Sequence, residues 1–194
     1  MPKEDSPTLR VMRSHSWSGV LRLEMVQGLN ERGLALLKKA AQASEWADGL
    51  PSWKEIIPVW ASASEGTVGR AARSPMVLLD FNFQDLAWWS RMVSAHPAGE
   101  SRLAKPSGFY TDEVIPLARD LLLEAWSASR SMTPIASLVF GMAPEVTALI
   151  ARLSPSDVDR VVVHEAQEMR PRWANRPMFW RALCHAATRL LRLA

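Results

Sequence analysis

The chain has 194 residues, enough for one large domain or two small ones and for a sizeable core. Apolar residues make up 48 % and charged residues 22 %, the balance of an ordinary folded protein. A single cysteine, Cys184, excludes an internal disulfide, and apolar runs of only a few residues fall far short of a membrane span.

The net charge of +3 is unevenly placed. No acid follows Glu168, while Arg170, Arg172, Arg176, Arg181, Arg189 and Arg192 put +6 in the tail, so the rest of the chain carries −3. Such a split suggests an anionic partner for the basic end; the plainer alternative is a solvated arginine-rich helix. The N-terminal MPKEDSPTLR has no apolar h-region, so no signal peptide is expected, and a reducing, cytoplasmic setting is.

In chain order, residues 1 to about 16 are polar and expected to fray. A helical pattern runs from Ser18 to Trp46, interrupted by Gly28 and Gly33. Its stronger half starts at Asn30, read as an N-cap, with Leu34, Leu37 and Ala41 on one face. PSWKEIIPVW reads as one short turn, opened by Pro51 and closed by Pro58. TVGRAARS reads as another short helix. MVLLDFNF, residues 76 to 83, is the one convincing strand candidate, though an extended link fits equally. QDLAWWSRMVSA is helical, and HPAGESRLAKPSGFY has the composition of a loop. The expected boundary lies there: residues 1–105 as an N-terminal helical region, 106–194 as a helical domain with a basic end.

Beyond it, Thr111 is placed to cap a helix reaching about Arg130. Three short helices follow, each punctuated. TPIASLVFG has Pro134 at its start and Gly141 at its end. APEVTALIARL opens with Pro144. SPSDVDRVVVHEA has Ser154 as N-cap, Pro155 first and Asp157 in the first turn. A loop RPRWANRP leads to a closing helix from Pro177. The expected fold is mainly α: a compact multi-helix domain with a helix-turn-helix-like C-terminal unit and at most one short strand.

No catalytic signature is present: no G-x-S-x-G, no phosphate-binding glycine loop and no H-E-x-x-H. His164 and Glu168 stand four apart, half of a metal site at most. Cys184 and His185 are adjacent and point about 100° apart on a helix, so Cys184 reads as packing. No cofactor is expected. SMTPIASLVFGMAPEVTALIARL resembles a helix-turn-helix, with Ser137, Gly141, Met142 and Ile150 at suitable places and Thr147 where a larger aliphatic would fit better. Its second helix carries Glu145 and only Arg152, too little cation for a groove reader.

In EMRPRWANRPMFWRAL, residues 168 to 183, the aromatics are expected to hold the loop against the core. Arg170, Arg172, Arg176 and Arg181 are expected to contact the DNA backbone. Trp88, Trp89, Trp173 and Trp180 are the expected partner-binding residues, because tryptophan and arginine dominate interface hot spots.

The stretch from Leu117 to Trp173 also resembles the FlhD-type bacterial transcriptional regulators. The matching pieces are Leu117 to Ala125, Ala136 to Met142, Leu153 to Pro155 and Met169 to Trp173. The resemblance spans roughly residues 112 to 185; residues before it are unmatched, and the acidic second helix departs from the pattern. It implies an all-helical, oligomeric, non-enzymatic subunit acting with an FlhC-type partner on double-stranded DNA. The partner would supply the zinc site and much of the DNA contact. The alternative is a helical adaptor that binds other proteins through Trp/Arg-rich surfaces without DNA.

Overall fold

The first apolar periodicity becomes α1, Leu23–Ala43. The computed structural model describes residues 23–43, 53, 56–94 and 113–189. Neither Gly28 nor Gly33 breaks α1, and Asn30 is no cap. It lies within the helix, fully buried. Its Nδ2 donates to the carbonyls of Ala72, Ser74 and Met76, and its Oδ1 accepts from the Leu78 N–H at 2.8 Å. Local propensity favours asparagine at a helix end, but a buried loop with orphan carbonyls needs a donor more.

After α1 come α2, Ile57–Ala61, and α3, Glu65–Ala71. Pro58 lies in the first turn of α2 instead of closing a turn, as its missing N–H allows there. Ser64 caps α3 through the Thr67 N–H. Two-residue β1, Leu79–Asp80, precedes α4, Leu86–Ser94. Then follow α5, Val114–Ser131; α6, Thr133–Phe140; α7, Pro144–Ile150; and α8, Pro155–Glu165. A 3-10 turn, Ala166–Glu168, leads to β2, Arg170–Pro171, and α9, Pro177–Arg189. Thr111, Pro51 and the 96–110 loop lie outside the described residues.

The mainly α class is therefore observed. Instead of at most one strand, the described residues hold two, paired antiparallel as Leu79 with Pro171 and Asp80 with Arg170. Leu78, next in the register, still accepts from the Arg172 N–H, but the segment's ends find backbone partners away from the sheet: Val77 donates to the Val139 carbonyl, and Phe83 accepts from the Ala143 N–H. Tertiary hydrogen bonds satisfy what a ladder otherwise would.

The division expected near residue 105 does not divide the core. One apolar cluster runs from Val26 to Ala187, α3 packs on α9, α1 on α5, and the small sheet joins the two parts. α5 is the hub, burying Leu117, Leu121 and Ala125 at helical spacing against α6, α7 and α8. A second centre is aromatic: the Trp180 ring lies 5.5 Å from Trp53 and 5.9 Å from Trp60. Each such buried ring contributes on the order of 2–3 kcal/mol.

α6 and α7 turn by 113° at Gly141, which takes a left-handed φ of 69°. That is the angle of a helix-turn-helix. Thr147 is fully buried there, donating to Ala143 O at 3.0 Å and lying 2.9 Å from Ser137 Oγ. The hydroxyl pair bridges the helices where an aliphatic contact was the expectation. No single described helix is long and apolar enough to cross a membrane.

Candidate polyanion interface

α9 has two faces. Trp180, Cys184 and Ala187 point inward at spacings of four and three. Arg181, His185 and Arg189, each four residues on, are exposed on the other side, with Ala182 and Ala186 between them. Four residues of helix rise about 6 Å, so the stripe spans about 12 Å. Arg176 is also exposed, just before α9. No acid follows Glu168 in the sequence, so α9 itself carries no carboxylate.

The other expected cations differ. Arg170 is exposed but held by Asp80, with N–O distances of 3.0 Å and 2.9 Å. Arg172 is a structural residue, not an outward-facing DNA contact. Its Nη1 donates to Val139 O at 3.1 Å and Val77 O at 3.3 Å. Its guanidinium stacks 4.3 Å from the Trp173 ring centroid. Burial lowers its pKa, opposed by the nearby Asp80 charge. The sequence placed it in an exposed loop because loops usually are; this one is pinned from both sides. Trp173 adopts a left-handed φ of 56°, and Ala174 O accepts from Trp53 Nε1 at 2.6 Å.

Three of the four tryptophans expected to meet a partner are interior. Trp89 is fully buried, Trp180 is 1 % and Trp88 8 % exposed. Segment 81–83 wraps over α4 and places Phe81 and Phe83 against Trp88 and Trp89. Trp180 donates Nε1 to Arg172 O at 2.9 Å. Only Trp173 remains half-buried, its ring 4.5 Å from Phe179. Among the described tryptophans of this face, Trp173 alone keeps partial exposure, and its ring is already met by Phe179 and by the Arg172 guanidinium.

Nor is α7 set up to read a groove. α4 packs on it, and the Ala143 N–H at its start is bonded to Phe83 O. Its exposed positions are Pro144, Glu145 and Ala148, with Arg152 beyond its end. The pair His164 and Glu168 shares no helix face, because α8 stops at Glu165 and a 3-10 turn follows. Glu168 instead accepts from Asn82 Nδ2 at 3.1 Å. Among the described residues no three or more of His, Cys, Asp and Glu are grouped to hold a metal.

His185 and Arg189 were not among the site residues expected from sequence. The signal was available as their four-residue spacing from Arg181 on an acid-free helix. Comparison with protein-family models, curated proteins and solved structures gives no match.

Proposed function

We propose that the chain is a non-enzymatic subunit of a bacterial transcription-regulator assembly, and that α9 holds the DNA backbone. The observation that carries this is the exposure of Arg181 and Arg189 on α9, a helix anchored by Trp180 and carrying no acid of its own, with Arg176 exposed just before it. Phosphate contacts of this kind supply affinity without sequence preference. With α7 lacking base-reading side chains, sequence choice falls to an FlhC-type partner. The similarity of residues 112 to 185 to FlhD-type regulators supports that division of labour.

The test is fluorescence anisotropy on a labelled duplex across a salt series. Arg176→Gln, Arg181→Gln and Arg189→Gln together should weaken binding and flatten the salt slope by up to about 2.7, at roughly 0.9 per phosphate contact. An unchanged slope overturns the assignment of α9. A second reading, the helical adaptor, is favoured by Ile135 and Leu138 on α6, exposed at 39 % and 68 %. It would be preferred if wild type shows no salt-dependent retention on DNA yet co-purifies with a protein in high salt.

A further inference from the structure

We propose that Trp126, Arg130 and Arg152 form a docking surface for an acidic segment of another protein, one that sets carboxylates beside an apolar side chain. Trp126 and Arg130 stand four apart on α5 and so share a face. The Arg130 guanidinium lies over the Trp126 ring, 4.9 Å from its centroid. The indole Nε1 donates to Leu153 O at 2.7 Å, which pins the connection between α7 and α8 against α5. Arg152, exposed one residue earlier in that connection, therefore has its Cα within about 9 Å of the indole nitrogen. Two distant stretches of chain thus bring two arginines to one half-buried tryptophan. Of the tryptophans expected to meet a partner, Trp88, Trp89 and Trp180 are interior; Trp126 was not among them.

Among the described residues, neither Arg130 nor Arg152 takes part in an ion pair. The acids closest in sequence lie elsewhere or are taken. Asp157 accepts from Ser154 and pairs with Arg160, and Asp159 pairs with Arg119. Glu145 stands at the opposite end of α7 from Arg152. Glu124, two residues before Trp126, is on the far side of α5. A partner therefore supplies the anion. A guanidinium resting on an indole is already ordered, so closing on a carboxylate costs it less rotamer freedom. The indole beside it offers apolar surface to the side chain flanking that carboxylate, and tryptophan with arginine dominates interface hot spots. A duplex fits less well, because two cations give a phosphate backbone few contacts and leave the indole unused. The surface stands whether or not α9 meets DNA.

The experiment is fluorescence anisotropy with the full chain at low salt and two probes, a short fluorescein-labelled peptide of glutamate and leucine and a labelled duplex. Wild type should bind the acidic peptide and not its counterpart with glutamine for glutamate. Arg130→Gln with Arg152→Gln should weaken peptide binding about tenfold and leave duplex binding unchanged. Both side chains are exposed, so the two changes leave the core intact. Arg176→Gln, Arg181→Gln and Arg189→Gln together should leave peptide binding as it is. Wild type that ignores the acidic peptide, or binds the glutamine counterpart equally, overturns the docking surface and leaves the DNA-backbone reading of α9 standing. So does a double variant that binds the peptide as wild type does. Peptide affinity lost in the triple variant places the peptide on α9 and overturns the assignment. A double variant that loses the duplex and keeps the peptide gives this face to DNA instead, which also overturns it.

Discussion

The Arg172 guanidinium lies across Gly141, so that a Cβ added at residue 141 would collide with its Nη2. The two residues are a helix terminus and its lid. Gly141 takes the left-handed conformation that ends α6, and Arg172 donates to the Val139 carbonyl there, which also accepts from the Val77 N–H. The turn between α6 and α7 is thus closed by a residue more than thirty positions later.

Gly141→Ala combines a left-handed alanine with that collision and should cost about 1–3 kcal/mol. Gly28, also a glycine but inside α1, has nothing within 4 Å of an added Cβ. Gly28→Ala should stabilise by about 0.5–1 kcal/mol, since alanine restricts the unfolded chain and suits a helix interior. Urea denaturation of both variants checks the pair; equal effects would show that the Arg172 lid contributes nothing.

Asn30 serves three carbonyls and one N–H from inside the core. Asn30→Asp keeps the shape but exchanges the donor for an acceptor and buries a charge. It should destabilise by about 3 kcal/mol or more at neutral pH. The loss should shrink on acidification, as the carboxyl regains a proton to donate. Asn30→Leu, which leaves the same carbonyls unmet, should cost about 2–3 kcal/mol with no such pH dependence. Thermal melts at neutral and mildly acidic pH separate the two.

Ser154 and Asp157 form a reciprocal capping box at the start of α8. The Ser154 side chain and backbone N–H bonds, the larger causes, hold the Asp157 carboxyl below its usual range, helped by Arg160 against some desolvation. A depressed folded value means stability that is complete above the ordinary aspartate range near 3.9 and lost as pH falls through the lower folded value. Ser154→Ala should cost about 1 kcal/mol at neutral pH, and the difference from wild type should narrow as pH falls below the ordinary aspartate range. A constant difference across that range would show that the carboxylate takes no part.

The Cys184 thiol is buried, 3.9 Å from Val59 O, and burial pushes its pKa up against the hydrogen bond with Thr188. Thiolate is the reactive form, so Ellman's reagent should label native protein slowly and unfolded protein at once. Rapid labelling of the native chain would mean that α9 detaches from α2 and α3 far more readily than its packing implies.

Elements with their own punctuation were legible in the sequence. α6, α7 and α8 begin at Thr133, Pro144 and Pro155 because proline and serine mark first turns whatever lies around them. The aromatic centre was half legible. Nine tryptophans promised large buried or binding surfaces, but a periodic pattern cannot tell an interior face from a docking face. Trp88 and Trp89 went inward because segment 81–83 returns over them, a placement that depends on Asn30 and Val139 far away in the chain.

The sequence by itself determined the helical class, the breaks between the later helices and the acid-free basic tail, all of which depend on neighbours within a few residues. Only the tertiary structure decided which arginines face out. Arg172 turned inward to close the α6 turn, Arg170 met Asp80, and Arg181, His185 and Arg189 stayed on the solvent face of α9. The physical reason is that a guanidinium satisfies whichever carbonyls or carboxylates the fold leaves open, and those groups come from distant segments.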